Sequence, residues 1–563
     1  MKPRDHIIPN DEDWPIATFH RDRERIVALL IDKTVDVLLE DPDLLNYLNQ
    51  TVYSEKLRCK SDPLKVDPPN EYAYWKKIES DLTKSKDEGG DQATVQGELL
   101  KKIVTRYAEE IVGDFKPKTF RFVRKLTTWI FKLLLNPFKA KGQGYFWGTR
   151  DGVLDKIKIE GPIENIRSLF DKGTVLVLPT HFSNLDSLTV GYAIDMLAGL
   201  PIFSYGAGLN LYDYELFAYY MSRVGTYKID RRKRNPIYRK TLDLYSTVAI
   251  QEGLNSIFYP GGTRSRTGGV EQKLKFGLMN TIIDSQNDFF LQGIDKKIII
   301  VPLITSYHFV LEANSLIDQH LRKTGKENYF DRIKKKSVSL RRIRFLNRLF
   351  GRGSEIIMSF GQPIDIFGNK IDNDGRSIKE GRPIDISDYF KSDDRLTKDV
   401  QRNRVYSRYL AEELLSSYKR ENVVLTSHIA AFTVYQMFEK QYPKLDLFAL
   451  LALPEEYLTI RIEEVYEQVN NVLMQLRVLN DGGHVKLSEE VRTSTSAQVL
   501  ADAVKQINPY HFYAPIKIED GYVRSENIKL LYFYSNRLFG YKLDREVKVV
   551  RKENIVLRSA LYQ

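Results

Sequence analysis

The sequence predicts an α/β protein in which a mostly parallel sheet is flanked by helices, with further helical units at both ends of the chain. Three observations support this fold class. From Gly161 onward, short β-rich apolar runs alternate with helical stretches, as in a buried parallel sheet. Before this region, and again from Leu396, apolar residues recur at helical spacing.

The N-terminal region, residues 1–144, is predicted to be helical. Apolar positions recur at near-helical spacing from Arg21 to about Asn49, and again from about Gln96 to Val112. Near 120–140, aromatic residues mix with Arg and Lys, as in a helix that lies in a lipid interface. A helix docked on the protein core is the alternative, and the sequence leaves both open.

The α/β domain is predicted to span 145–370. Its strands should be five short apolar runs, which are TVLVLPT, PIFSYG, SIFYP, KIIIVPLI and EIIMSF in chain order. The polar stretch 371–395 is predicted to be a linker. Residues 396–563 are predicted to form a mostly helical C-terminal domain.

Composition limits the classes of function. The chain has 563 residues, more than one hydrophobic core usually organises, and a formal net charge of +11. The charge predicts attraction to anionic lipid, to an acidic carrier protein or to nucleic acid. No apolar run approaches the roughly 18 residues that cross a bilayer. The N-terminus also lacks a secretory pattern, so we expect a cytoplasmic chain that is peripheral on a membrane.

The single cysteine, Cys59, cannot form an intramolecular disulfide or a thiolate metal cluster. No other metal-ligand spacing is evident. We therefore expect no structural metal.

A histidine and an aspartate follow the first predicted strand in the segment THFSNLDS. Strand ends in open α/β sheets are where ligands bind. If His181 lies in the turn and Asp186 in the first helical turn, the carboxylate can accept the imidazole Nδ1–H and leave Nε2 as a base. Ser183 or Asn184 would then cap the helix. A purely structural histidine is the alternative interpretation.

No serine or cysteine occurs in a nucleophile-elbow context. A catalytic pair at this position would therefore activate a hydroxyl group of the substrate. That chemistry is direct transfer, without a covalent enzyme intermediate.

Three further pieces carry candidate residues. FYPGGTRSRTGG, Phe258 to Gly269, combines a strand end, a glycine turn and two arginines, which suit a phosphate. GTYKIDRRKRN places Arg231 and Arg232 after a short apolar–polar run, and KIIIVPLITSYHFVLE is a predicted strand followed by Tyr307 and Glu312. Each piece by itself also has a purely structural interpretation. The first fits a solvated charged turn, the second a solvated charged face and the third a core strand.

Together, these four pieces resemble in order and spacing the four signature blocks of the glycerolipid acyltransferase family. The blocks are His181 to Asp186, Gly225 to Arg231, Pro260 to Arg266 and Val301 to Tyr307. The resemblance covers about 145–365 well and the remainder faintly. It implies a glycerolipid-acyltransferase-like domain.

The resemblance also implies roles for individual residues. His181 would be the general base and Asp186 the residue that orients it. The acceptor site would comprise Arg231, Gly262, Thr263, Arg264, Ser265, Arg266, Lys275 and Tyr307. The implied reaction is attack of a glycerol hydroxyl on the thioester of acyl-CoA or acyl carrier protein, with no cofactor beyond that donor substrate.

The segments SRTGGVEQKLKFGLMN and VPLITSYHFVLEANSL are similar to those of glycerol-3-phosphate acyltransferases. The implied function is acylation of glycerol 3-phosphate to lysophosphatidate for phospholipid synthesis. Two alternatives remain: a 1-acylglycerol-3-phosphate acyltransferase, whose acceptor is lysophosphatidate, and an inactive membrane-binding scaffold. A nucleic-acid binder is suggested by charge alone, without an RNA-binding or zinc-finger signature, so no nucleic-acid partner is expected.

One position departs from the family pattern. The third block usually carries Glu where this chain has Gly261, so a carboxylate expected near the acceptor is absent. Either another acid serves, with Asp230 and Glu312 as candidates, or the acceptor is unusual.

A basic stretch from Arg332 to Arg352 interleaves cations with apolar residues. It suits an anionic membrane surface, an acidic acyl carrier protein or simply a solvated helix.

Overall fold

The computed structural model describes residues 4–87, 92–135, 156–212, 215–324 and 355–543. Within these ranges the chain forms two compact units. The first comprises Met1–Arg264, Glu271–Thr305 and Glu355–Glu421, and the second comprises Ser265–Val270, Ser306–Ser354 and Asn422–Gln563. The predicted basic stretch, 332–352, and residues 136–140 of the predicted interfacial helix lie outside the described residues.

One seven-stranded sheet organises the α/β region. Its strands are β1 (Ile157–Glu160), β2 (Gly173–Pro179), β3 (Ser204–Gly208), β4 (Thr226–Ile229), β5 (Ser256–Ile257), β6 (Lys297–Tyr307) and β7 (Ile356–Phe360). The strand order is β1-β7-β6-β2-β5-β3-β4. The pairs β1–β7, β6–β2, β2–β5, β5–β3 and β3–β4 are all parallel.

The sheet confirms the predicted fold class. Each of the five predicted apolar runs contains a strand, and β1 and β4 are additional. Strand β3 begins at Ser204 rather than at Pro201. Strand β2 is buried almost throughout, as expected for a central strand covered on both faces.

Helices flank the sheet and form both terminal regions of the chain. They are α1 (Pro15–Arg21), α2 (Arg23–Leu39), α3 (Leu44–Ser61), α4 (Glu71–Asp87), α5 (Gln92–Ile111), α6 (Pro117–Leu135), α7 (Ile163–Ser168), α8 (Asp186–Tyr192), α9 (Glu215–Met221), α10 (Pro236–Gln251), α11 (Phe276–Leu291), α12 (Ala313–Thr324), α13 (Val400–Glu421), α14 (Thr426–Gln441), α15 (Leu447–Leu451), α16 (Ile462–Asp481), α17 (Glu489–Thr493), α18 (Ser496–Ile507) and α19 (Ile528–Ser535).

The helical run predicted from Arg21 to Asn49 is interrupted. Helix α2 ends at Leu39 and α3 begins at Leu44. Pro42 lies between them, and a proline inside a helix lacks the N–H and clashes with the preceding turn. The helical region predicted from Arg21 to about Asn49 therefore consists of two helices.

Short strands complete the structure. They are β8 (Lys370–Ile371), β9 (Ser377–Lys379), β10 (Arg382–Ile384), β11 (Lys391–Ser392), β12 (Arg395–Leu396), β13 (Val423–Val424), β14 (Thr459–Arg461), β15 (Lys486–Leu487), β16 (Lys517–Glu519) and β17 (Tyr522–Arg524). The predicted linker, 371–395, thus contains β9, β10 and β11. The domain boundaries inferred from the sequence stay predictions.

The N-terminal helices share one hydrophobic core with α10. Trp75, Tyr107 and Tyr245 are among its largest fully buried side chains. The Tyr107 and Tyr238 rings meet edge to face, with centroids 5.1 Å apart. The apolar stripe of each N-terminal helix is therefore buried against the α/β region within the same compact unit.

A buried ion cluster crosses this core. The Arg58 side chain is 4% exposed and donates to Glu55 at 2.7 Å and to Glu71 at 2.8 Å. It also lies 3.1 Å from Asp67. Glu55 accepts a further hydrogen bond from Asn235, which caps the first turn of α10. One guanidinium thus compensates carboxylates of α3, of α4 and of the loop between them.

The second unit is built around α14, which contacts α16, α18 and α19. Histidines inside it form hydrogen bonds to protein groups: His428 Nε2 lies 3.2 Å from the Tyr307 carbonyl, and His511 Nε2 lies 2.7 Å from Tyr534 Oη. Burial lowers the pKa of His511 to about 3 and that of His428 well below its ordinary value. These histidines are therefore neutral structural groups at pH 7.

We expect Arg58→Met to destabilise the protein by about 3–5 kcal/mol, because it leaves the buried Glu55 without a compensating charge, whereas Glu71 keeps Arg106 and Asp67 keeps Arg232. Urea denaturation followed by circular dichroism measures the change. The control is Arg25→Met, since Arg25 is paired with Glu252 but is 55% exposed; it should change stability little. Equal effects of the two substitutions would contradict a special role for the cluster.

Candidate active site

The candidate site lies where two neighbouring strands end. Strands β2 and β5 pair in parallel, with Leu176 opposite Ser256 and Val177 opposite Ile257. Their carboxyl ends therefore open at the same edge of the sheet, where open α/β folds bind ligands. The loop after β2 carries His181, and the loop after β5 carries Tyr259 and the glycine turn.

The predicted histidine–aspartate contact is confirmed. His181 lies in the loop after β2, and Asp186 is the first residue of α8. His181 Nδ1 and Asp186 Oδ2 are 2.6 Å apart. The Asp186 side chain is fully buried, whereas that of His181 is 18% exposed. No described residue hydrogen-bonds Nε2, which leaves that nitrogen able to accept a proton.

The Asp186 carboxylate organises the whole turn. The same oxygen, Oδ2, accepts the backbone N–H of Phe182 at 2.7 Å and that of Ser183 at 2.9 Å. Its position at the start of α8 also favours a negative charge there. The loop thus directs two backbone N–H groups at one carboxylate oxygen, and the His181 imidazole contacts the same oxygen.

The prediction that Ser183 or Asn184 caps the helix is wrong. Leu185 precedes α8, and no side chain caps the helix there. Ser183 Oγ instead accepts the Leu185 N–H at 3.2 Å, within the turn. The reason is that Asp186 bonds back to the loop, which already orders the residues before the helix.

The Tyr259 ring stacks on the His181 imidazole, with centroids 4.2 Å apart and planes at 28°. The Tyr259 Oη is buried and forms no hydrogen bond with any described residue. Burial, reinforced by the negative charge of Asp186, raises the pKa of this phenol well above its usual value. Tyr259 is therefore a neutral aromatic platform for the His181 ring.

The glycine turn brings a lysine over the loop. Gly262 has φ +73°, a conformation that favours glycine, and its N–H donates to the Tyr259 carbonyl at 2.8 Å. A Cβ at this position would lie 2.6 Å from Lys275 Nζ. The side chain of Lys275 therefore crosses the turn where only a glycine leaves room. Thr263 and the half-buried Arg264 follow directly.

The arginines in the loop after β4 differ in their surroundings. Arg231, the predicted phosphate ligand, is exposed. Arg232 donates to Asp230 at 2.7 Å and to Asp67 at 2.6 Å. Burial opposes ionisation of Asp230, but the hydrogen bond from Arg232 and the charge of Lys233 give a lowered pKa overall. Asp230 is thus an ion-pair partner of Arg232, whereas Arg231 and Arg234 are exposed to solvent.

Other predicted residues belong to the second unit. Ser265 Oγ donates to the Gly269 carbonyl at 2.8 Å. Arg266 lies near His320, and burial together with the Arg266 charge lowers the pKa of that histidine. Tyr307 is 4% exposed. Glu312, a candidate for the missing acid, is also in this unit.

One residue at the site was missed by sequence reasoning. Glu271 Oε1 accepts the backbone N–H of His181 at 2.9 Å. Glu271 stands in the polar run GGVEQK, which carries no motif of its own. Only the path of the loop brings this carboxylate back to His181.

Comparisons with known proteins agree with this geometry. Residues 156–306 match the family described as Acyltransferase. Glycerol-3-phosphate acyltransferase of Pseudomonas fluorescens (strain Pf0-1) is 26% identical over 279 residues, which are 49% of this chain and 29% of that protein. The enzyme of the same name from Pseudomonas putida (strain W619) is 27% identical over 266 residues, 47% of this chain and 28% of its own length. The chain thus covers less than a third of these relatives.

Residues 156–306, which hold the histidine–aspartate pair at the edge of the parallel sheet, thus match the acyltransferase class. Within that class, the resemblance to the glycerol-3-phosphate acyltransferases of the glycerolipid family is confirmed.

We expect Asp186→Asn to change the tautomer of neutral His181. The carboxylate accepts the Nδ1–H, whereas an amide can turn its NH₂ toward Nδ1 and move the proton to Nε2. Long-range ¹H–¹⁵N correlation spectra should show the Nδ1–H form in the wild type and a shift toward the Nε2–H form in the variant. An unchanged spectrum would mean that Asp186 does not set the tautomer.

Proposed function

We propose that this chain transfers a fatty acyl group from a thioester, acyl-CoA or acyl carrier protein, to a hydroxyl of glycerol 3-phosphate. The product is lysophosphatidate, a precursor for phospholipid synthesis. The observation that carries this proposal is the Nδ1–Oδ2 hydrogen bond of His181 and Asp186 at the sheet edge of an acyltransferase domain. The relatives named glycerol-3-phosphate acyltransferase support the choice of acceptor.

The reaction follows from the free imidazole nitrogen. His181 Nε2 accepts the proton of the glycerol hydroxyl as its oxygen attacks the thioester carbonyl. Asp186 holds the Nδ1–H and stabilises the imidazolium that forms. The C–O bond forms, the C–S bond breaks, and the imidazolium returns the proton to the departing thiolate. The products are an ester and a free thiol, without an acyl-enzyme.

The phosphate end of the acceptor is assigned to the cations of the neighbouring loops. The side chain of Lys275 crosses the turn at Gly262, and Arg264 follows that turn in the chain. Both residues belong to the loop after β5, the strand next to β2. Neighbouring strands in a sheet are about 4.8 Å apart. A small molecule such as glycerol phosphate can therefore reach from the proposed base, after β2, to the cations in the loop after β5. Arg231 is an exposed cation after β4, on the same edge of the sheet. Cations of this kind recognise phosphate through charge-assisted hydrogen bonds.

Helix α6 supports work at a membrane surface. Between Pro117 and Phe131, its exposed residues lie on one face; they are Lys118, Phe122, Lys125, Leu126, Trp129 and Ile130. The opposite face is held on the protein, since Arg124 Nη1 lies 3.3 Å from Asp195 and the Phe131 ring meets Tyr192 edge to face at 5.2 Å. A face of aromatic, aliphatic and cationic residues suits the interface of an anionic bilayer.

We assign α6 to this anionic surface, where the acylated product would be released. In the described parts of the chain, none of the helices has the length and apolar character of a membrane span. The proposed attachment is thus through one helix face.

We expect His181→Ala to lower the rate of transfer by about 10²- to 10⁴-fold, because the general base acts in the transition state. The measurement follows free thiol and lipid product from palmitoyl-CoA or palmitoyl carrier protein, with glycerol 3-phosphate or lysophosphatidate as acceptor. The control is His484→Ala, an exposed histidine of the second unit.

Equal rates for the wild type and His181→Ala would remove the pair from the reaction. Phosphatidate formed only from lysophosphatidate would assign the chain to the second acylation step. No product from any donor and acceptor would favour the inactive scaffold.

We expect Trp129→Ser with Ile130→Ser to weaken binding to phosphatidylglycerol vesicles by about tenfold or more, since burying each large apolar side chain contributes about 1.5–3 kcal/mol. Vesicle sedimentation measures the affinity. The matched control is Tyr53→Ser with Leu57→Ser on α3, where the residues are 69% and 52% exposed. If the control pair weakens binding as much, α6 is not the contact.

A further inference from the structure

Position 261 has no side chain, and the space beside it is occupied from elsewhere. A Cβ on Gly261 would lie 3.3 Å from Glu271 Cγ and 3.5 Å from Glu271 Oε1. The Glu271 side chain therefore packs directly over Gly261, ten positions earlier in the chain. A larger residue at 261 would have to displace that carboxylate.

The same carboxylate reaches the proposed base. Its Oε1 accepts the His181 N–H at 2.9 Å. A hydrogen bond from a main-chain N–H to an ionised acceptor is among the stronger ones in proteins. Glu271 therefore restrains the backbone of His181, while Asp186 restrains Nδ1 and Tyr259 covers one face of the ring.

The other candidate acids make different contacts. Asp230 is paired with Arg232, which also binds Asp67. Glu312 belongs to the second unit. Of the acids considered, Glu271 and Asp186 are the two that hydrogen-bond His181 in the described part of the chain.

We infer that Glu271 is a positioning residue for His181 and supplies, from the following loop, the carboxylate that Gly261 lacks. The inference rests on the proposed transfer reaction for its effect on rate. It explains why glycine stands at 261: a glutamate there would compete with Glu271 for the same space, and two adjacent carboxylates would repel each other. In this chain the carboxylate therefore comes from position 271 instead of position 261, and it lies beside His181.

The test removes the carboxylate from position 271 and places one at position 261. We expect Glu271→Ala to lower kcat by about 10- to 100-fold, the effect of losing one hydrogen bond to a charged group, with little change in KM for either substrate. Glu271→Gln should keep most of the activity, because its amide oxygen can accept the same N–H. Gly261→Glu alone should be impaired, and Gly261→Glu combined with Glu271→Ala should regain activity relative to Glu271→Ala.

A second readout needs no substrate. Amide hydrogen exchange at His181 should speed up in Glu271→Ala and slow again in the double variant, because the N–H loses and then regains its acceptor. The control is Gln272→Ala, the exposed neighbour of Glu271, which should leave both readouts unchanged. Thermal melting followed by circular dichroism checks that each variant is folded.

The outcomes separate the two proposals. A wild type without transfer would defeat the proposed function, and exchange at His181 would still decide whether Glu271 restrains it. An active wild type with unchanged kcat in Glu271→Ala would overturn the positioning role. A double variant that is no more active than Glu271→Ala, with exchange still fast, would overturn the relocation.

Discussion

The buried carboxylate of Asp186 is the constraint on which the candidate site depends. One of its oxygens gathers two main-chain N–H groups and the imidazole of His181, all within 2.9 Å. A fully buried charge must be compensated by such donors. The need to satisfy this charge therefore fixes the loop after β2 and the start of α8 together. It also leaves Nε2 as the nitrogen available to a substrate.

The helix that begins at Asp186 links the site to the N-terminal region. It continues into a π-helical turn, Ala193–Leu197, whose Asp195 is bound by His6 and by Arg124 of α6. The helix proposed for membrane contact is thus attached, through its other face, to the element that carries the proposed catalytic carboxylate. Such an arrangement would hold the proposed base close to the proposed membrane surface.

The loop after β5 illustrates how a missing side chain can be replaced in space. Gly261 gives room for Glu271, and Gly262 gives room for Lys275. Both long side chains come from further along the chain and lie over the glycine turn. A negative group therefore lies beside the base and a positive group beside the turn. Gly261, which looks like a lost functional position in the sequence, and its neighbour Gly262 are both contact surfaces in the fold.

The sequence by itself predicted five of the seven strands of the main sheet, its mostly parallel character, the helical ends and a contact between His181 and Asp186. These features depend on periodicity and on residues only a few positions apart. The tertiary structure alone decided the contact of Glu271 with His181, whose positions differ by 90. It also decided that Arg232 is bound by carboxylates while Arg231 faces solvent. Such contacts depend on strand order and loop path, and no local pattern encodes where two distant loops meet.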